Sequence, residues 1–224
     1  MKSRNQQRQG KKKVLLVDDH PVVREGLARA INQEDDLMVC GEAGDAPHGL
    51  AAVAALRPDV VVVDISLEEG CGLDLIKDLH ARTPELPTLA LSMHPENLYA
   101  ERAIRAGALG YVMKRQPVSD MISALRKVLG GHVAASDDIL RRLVGAGRRA
   151  RGDGCASPAD LLSDRELEVF RLFGEGLATR DIAAKLRIAL STVQSYRAAI
   201  KQKLGLRNGT ELVSRAARFV ATEG

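Results

Sequence analysis

The apolar positions of the first 130 residues fall into short runs separated by segments of helical period. Lys13–Val17, Met38–Gly41, Val60–Val63, Thr88–Leu91 and Leu109–Met113 are brief and rich in aliphatic residues, the pattern of strands. Val22–Gln33, Asp45–Leu56, Leu73–Ala81 and Glu96–Ala106 lie between them and read as helices, and Val118–Leu129 follows the last strand. Pro21 stands near the start of the first helix and Gly107 at the end of the fourth, where each residue type is favoured. The four consecutive valines show no alternation, which predicts a strand buried on both faces.

Strands alternating with helices predict a five-stranded parallel sheet with right-handed crossovers. The expected order is flavodoxin-like, 2-1-3-4-5, with its switch point between strands one and three. Strand one ends in Asp18-Asp19 and strand three in Asp64, so three carboxylates converge at one crevice. Carboxylates this close repel one another and call for a cation. An all-oxygen site with room for waters suits Mg²⁺. Strand four ends in Ser92 and strand five in Lys114, 28 and 50 positions after Asp64. Singly, each has a plainer reading: a solvated loop aspartate, a turn serine, a surface lysine. Together they are what phosphorylation of a carboxylate requires. Asp64 would be the nucleophile, Mg²⁺ and Lys114 would neutralise the transferring oxygens, and Ser92 would hydrogen-bond the product.

After residue 131 the pattern changes. Ser136–Val144 has a short helical period, and residues 145–158 read as a flexible basic linker. Its arginines, Arg148, Arg149 and Arg151, are either solvated or reach DNA phosphates or the acidic first domain. Ser163 and Glu166 have the spacing of a capping box. Leu167, Phe170, Phe173 and Leu177 then share a face, with Gly174 and Gly176 expected to end the helix. Thr179–Leu186, Ser191–Leu204 and Thr210–Thr222 complete a small all-α unit of four helices. In the third, Val193, Tyr196, Ile200 and Leu204 face inward, and Gln194, Ser195, Arg197, Ala198, Lys201 and Gln202 face out. A short helix, a turn and a helix with small, polar and basic residues outward is the logic of a helix-turn-helix. A helical bundle with a solvated face is the alternative.

Charge sharpens the division. The 224 residues carry a net +4, yet residues 11–130 hold 14 Lys+Arg against 18 Asp+Glu. Residues 158–224 hold 11 against 8. An acidic half joined to a basic one suits a cation-binding module linked to a polyanion-binding one. No apolar run approaches the roughly 18 residues that span a bilayer. Residues 1–12 are polar and basic without an apolar core, and are read as a disordered tail on a cytoplasmic protein. Cys40, Cys71 and Cys155 lack CxxC spacing and an even count, and are read as reduced thiols.

The segments Val17-Asp-Asp-His-Pro-Val-Val-Arg-Glu-Gly-Leu27, Asp64, Leu91-Ser-Met-His94 and Ala108-Leu-Gly-Tyr-Val-Met-Lys114 resemble the receiver domain of bacterial two-component response regulators. The resemblance implies Asp64 as phosphoacceptor, Asp18 and Asp19 as the acid pair, Ser92 as the conserved hydroxyl, Lys114 as the lysine and Tyr111 as the switch aromatic. It adds the backbone carbonyl of Ser66 as a Mg²⁺ ligand. Leu162-Ser-Asp-Arg-Glu-Leu-Glu-Val169, Gly176–Leu186, Ser191–Arg197 and Ile200–Leu204 resemble the LuxR-type DNA-binding domain. The pair is the architecture of the NarL/FixJ family, over about residues 13–222. Implied domains are a receiver at 13–131, a helical stretch and linker at 132–160, and a helix-turn-helix domain at 161–224. The family's base-reading positions fall on Gln194, Ser195 and Ala198, and phosphate contacts on Thr192, Arg197, Lys201 and Lys203.

The chain departs from the family in places. Glu68, beside Glu69, stands where a proline is usual four residues past the acceptor. Gln194 replaces a frequent lysine and can read adenine. Tyr196 replaces a common His, and Ala189 a capping Ser, a loss of about 1 kcal/mol that Ser191 would partly make good. The leading expectation is a transcription regulator, not an enzyme, phosphorylated on Asp64 by a sensor histidine kinase. Phosphorylation would move Ser92 and Tyr111 and favour a homodimer on double-stranded DNA. A second reading keeps DNA binding but places it under protein contact or constitutive dimerisation. A third, a Mg²⁺-dependent phosphohydrolase, wants an acid two residues after the nucleophile, where this chain has Ser66.

Overall fold

The computed structural model describes residues 10–67, 71–93, 95–141 and 158–223. Five strands and five helices alternate first: β1 Lys12–Val17, α1 Pro21–Asn32, β2 Leu37–Ala43, α2 Ala46–Leu56, β3 Val60–Asp64, α3 Gly72–Arg82, β4 Thr88–Ser92, α4 Glu96–Arg105, β5 Gly110–Met113 and α5 Val118–Leu129. Five more helices follow a 137–141 helical segment: α6 Pro158–Leu161, α7 Asp164–Gly174, α8 Thr179–Lys185, α9 Leu190–Lys203 and α10 Gly209–Glu223. The expected linker arginines, Cys155, and the Glu68-Glu69 departure lie outside the described residues, as does most of the expected tail.

The described residues form two compact units, those within 1–93 and 103–135 and those within 94–102 and 136–224. In the first, all strands are parallel in the order β2-β1-β3-β4-β5, as the alternation predicts. Every residue of β3 is buried, because helices cover both faces of a parallel sheet. Side chains alternate across the sheet. Val14, Leu16, Val60, Val62, Leu89 and Leu91 pack with Ile31 of α1 and Met121 and Leu125 of α5. On the other face Gly49 of α2 lies against Val17 and Leu75.

β2 is longer than its apolar run suggests. Gly41, Glu42 and Ala43 are poor strand formers, but they pair with Leu15, Leu16 and Val17 after a register shift at Val14/Leu15. The first unit also reaches past α5. Ala134 is buried, bridges Gly110 in parallel and accepts the Tyr111 N–H at 2.8 Å, so residues 132–135 pack on β5.

In the second unit α7 supplies the core through Leu167, Val169, Phe170, Leu172 and Phe173, all buried. Phe170 meets Phe219 of α10 with ring centroids 5.6 Å apart and planes tilted by 51°. Gly174, expected to end the helix, is its last residue. A Cβ there would come 2.5 Å from the Ala216 carbonyl oxygen, so close approach of α7 and α10 demands glycine. Gly176, with φ of 88°, makes the turn. Residues 95–102 belong to this unit, where Arg102 pairs with Asp164 and donates to the Ala159 and Leu162 carbonyls.

Candidate functional site: an acidic pocket and a helix-turn-helix face

Register builds the pocket. Val17 is opposite Val63, so the residues that follow, Asp18 and Asp64, leave the sheet at the same level. Ser92 pairs with Met113, and the Lys114 N–H donates to the Ser92 carbonyl at 2.6 Å, closing the edge across β4 and β5. Asp18, Asp64 and Ser92 are buried, with relative exposures of 2%, 1% and 0%. The chain enters α3 by folding back on β3, with the Gly72 N–H donating to the Ile65 carbonyl at 3.1 Å. A Cβ on Gly72 would overlap the Asp64 carbonyl oxygen.

Lys114 is the electrostatic keystone. Its Nζ lies 2.6 Å from Asp18 Oδ2 and 2.7 Å from Asp64 Oδ2, in a side chain only 5% exposed. Asp64 Oδ1 accepts the Ser66 N–H at 3.0 Å. Burial pushes the Asp64 carboxyl above its usual range; Lys114 opposes this and the Asp18 charge adds to it. Burial works against the Lys114 ammonium too, but the two carboxylates outweigh it and hold its pKa above the usual lysine value.

The acid pair is held by its surroundings. The Asp18 N–H donates to the Ala43 carbonyl at 3.0 Å, and Asp18 Oδ1 accepts the His20 N–H at 2.8 Å. Arg24 of α1 donates to the Asp18 carbonyl at 2.5 Å and pairs with Glu42 of β2 at 3.0 Å. His20 Nδ1 lies 2.6 Å from Asp19 Oδ1. Ligand atoms of Asp18, Asp19, His20 and Asp64 all fall within 4.8 Å of one another, a donor set of the size and charge that holds a divalent ion. The sequence reading missed His20 and Arg24. The short link between Asp19 and Pro21 was the available signal for the first. Tyr111, the expected switch aromatic, is buried in β5.

The second unit has the expected helix-turn-helix layout. Arg187, at φ 47°, makes the left-handed turn between α8 and α9. Val193 and Ile200 are buried, while Tyr196 and Leu204 are half-buried. Gln194, Ser195 and Ala198 are exposed on α9 and Thr192 and Lys201 partly so. Other predicted contacts are engaged inside the unit. Ser195 donates its hydroxyl to the Ser191 carbonyl at 3.0 Å, and Arg197 lies 5.8 Å over the Phe173 ring. Lys203 pairs with Glu166 at 2.6 Å, and Glu166 completes the capping box by accepting the Ser163 N–H at 2.7 Å. Ala189 is the N-cap of α9 and supplies no side-chain hydrogen bond. Arg180 and Lys185 stand exposed on α8, outside the predicted set.

Residues 14–126 match the response regulator receiver domain, and residues 160–216 match the bacterial regulatory proteins of the LuxR family. The chain is 37% identical to the DNA-binding transcriptional activator DevR/DosR of Mycobacterium tuberculosis over 202 residues, covering 89% of this chain and 91% of that one. It is 33% identical to the oxygen regulatory protein NreC of Staphylococcus carnosus, covering 91% and 96%. Among solved structures, RcsB from Salmonella enterica serovar Typhimurium, bound to promoter rprA in the presence of phosphomimetic BeF3-, matches with a TM-score of 0.60 at 27% identity. That match covers 93% of this chain and 99% of that one. Among the described residues no helix is long and apolar enough to cross a membrane. Pocket, helix-turn-helix and relatives agree: the chain belongs to the NarL/FixJ family of two-component response regulators, transcription regulators whose DNA binding is controlled by phosphorylation.

Proposed function

We propose that Asp64 is the phosphoacceptor, that a sensor histidine kinase is the donor, and that the phosphorylated chain binds double-stranded DNA as a homodimer in the cytoplasm. The observation that carries this reading is Lys114 Nζ shared between Asp18 and Asp64 at 2.6 and 2.7 Å. A carboxylate held this way is paired with an ammonium and pre-oriented for attack. Asp64 attacks the phosphorus of the kinase's phosphohistidine, the P–N bond breaks, and the imidazole keeps the electron pair. Lys114 leaves the ground-state carboxylates to meet the phosphoryl oxygens. Ser92, buried at the end of β4, hydrogen-bonds a phosphoryl oxygen, and the Tyr111 side chain follows it. Asp18, Asp19, Asp64 and the Ser66 carbonyl would hold Mg²⁺, which when bound supplies charge neutralisation at the transferring oxygens.

On DNA, α9 enters the major groove with Gln194, Ser195 and Ala198 toward base edges. Thr192, Arg197 and Lys201 hold phosphates, joined by Arg180 and Lys185 from the helix that crosses the backbone. Lys203 anchors α9 to α7 through Glu166. Two such helices in a dimer read half-sites one turn, about 34–36 Å, apart. The test is labelling of the full chain with acetyl phosphate and Mg²⁺, followed by DNA-binding titrations. Asp64→Asn should abolish both labelling and the phosphorylation-dependent gain in affinity. Unchanged DNA binding with labelling lost would favour control by protein contact or constitutive dimerisation.

A further inference from the structure

We infer that His20 is a nitrogen ligand in the acidic pocket, and that it gives the pocket a preference for transition-metal dications over Mg²⁺. The inference rests on the metal-site reading above and goes beyond it. His20 is the N-cap residue of α1, with extended backbone angles of φ −93° and ψ 102°, but its side chain makes no capping bond. The imidazole turns instead into the crevice. Its Nδ1 lies 2.6 Å from Asp19 Oδ1, 3.5 Å from Asp18 Oδ1 and 4.0 Å from Asp64 Oδ2. An octahedral ion with bonds of about 2.1 Å keeps its ligand atoms roughly 3 Å apart when adjacent and about 4.2 Å when opposite. The four-residue set spans 4.8 Å, so a small inward shift seats all four on one ion.

The remaining lone pairs are divided so that this is feasible. Lys114 takes Asp18 Oδ2 and Asp64 Oδ2 from one side, while His20 faces Asp18 Oδ1 and Asp19 Oδ1 from the other. The Asp18 Oδ1 bond from the His20 N–H, at 2.8 Å, fixes the backbone that aims the ring. Without an ion Nδ1–H donates to Asp19 Oδ1, so ligation by Nδ1 moves that proton through water to Nε2, which a side chain 58% exposed allows. Mg²⁺ takes oxygen ligands and gains little from an imidazole. Co²⁺, Ni²⁺ and Zn²⁺ bind imidazole well, and affinity rises from Mn²⁺ through Co²⁺ to Ni²⁺ in the Irving–Williams order.

The test titrates the full chain with Mg²⁺ and with Ni²⁺ by calorimetry, for the native protein and for His20→Ala and His20→Asn. Sites that persist in an Asp18→Asn/Asp19→Asn variant are assigned to other histidines and subtracted. Electron spin echo modulation from directly bound ¹⁴N, on the Mn²⁺ form, is the second readout. The expected result is a loss of about tenfold or more in Ni²⁺ affinity in both His20 variants, against less than about threefold for Mg²⁺. The ¹⁴N modulation should be present in the native protein and vanish with His20. Parallel losses for both metals, or Mn²⁺ bound without ¹⁴N coupling, would overturn the nitrogen ligand and leave the Mg²⁺ reading standing. Mg²⁺ affinity unaffected by the Asp18→Asn/Asp19→Asn change would instead remove the pocket reading itself, and this inference with it.

Discussion

Replacing Lys114 with Met removes the ammonium that two buried carboxylates share, at 2.6 Å from Asp18 and 2.7 Å from Asp64. All three side chains are at most 5% exposed, so water does not take over. Deleting one partner of a buried ion pair costs about 3–5 kcal/mol, because the other charge is left uncompensated. Asp64, whose carboxyl burial already pushes upward, relieves part of this by binding a proton, so the lower end of that range is expected. At about 1.4 kcal/mol per tenfold, a loss near 3 kcal/mol corresponds to a hundredfold or greater fall in amide protection for β1 and β3. Hydrogen exchange read by mass spectrometry measures this on the full chain, without requiring the two units to unfold together. Mg²⁺ should restore protection in the variant by about 2.7 kcal/mol at a hundredfold excess over the variant's Kd, and by less in the native protein at the same concentration. Native-like exchange in Lys114→Met, with no response to Mg²⁺, would refute the claim that this lysine neutralises the pocket.

Three further outcomes follow from the geometry. Gly72→Ala places a Cβ against the Asp64 carbonyl and the Ile65 backbone, which cannot yield as a side-chain tip can. It should cost about 1–3 kcal/mol in the urea transition of the first unit and slow phosphoryl uptake at Asp64, read on phosphate-affinity gels. Burial alone would raise the Glu166 carboxyl, but Lys203 and the Ser163 groups outweigh it and hold the pKa below the usual value. A depressed folded pKa means that this stabilisation is complete above the unfolded value, about 4.3, and disappears as pH falls through the folded one. Glu166→Gln should therefore flatten the acid limb of the second unit's melting curve between pH 6 and 3, an interval of about 3 pH units around that value. Lys201→Ala should lower the slope of log affinity for DNA against log salt by about 0.9. Lys203→Ala should leave that slope in place and alter the acid limb instead, since its partner is Glu166.

Much of the molecule was legible in the sequence because short-range patterns and long-range packing agree. The run Val60–Val63 reads as a strand buried twice over, and it is. Strand-helix alternation leaves few topologies, and the parallel order then places the ends of β1 and β3 side by side. The capping box at Ser163 and Glu166 is local chemistry, fixed within four residues. These features depend on periodicity and on bonds between near neighbours, both of which a linear reading contains.

What tertiary structure alone decided is which charged groups find each other. Lys203 has the position of a phosphate contact, and only the fold shows that it also pairs with Glu166, 37 residues away. Gly174 ends α7 as expected, but only the packing shows that α10 comes so close there that a Cβ would not fit. Glu42 and Ala43, beyond the expected strand Met38–Gly41, have weak strand propensity and become strand only because β1 offers them partners. His20 enters the acidic pocket through the bend between Asp19 and Pro21, a direction set by backbone angles and not by composition. The order of residues fixed the elements and the sheet edge where the acids meet. Burial and three-dimensional proximity set which side chains are ionised, paired and aimed there, because electrostatic energies depend on distance through space and on exclusion of water.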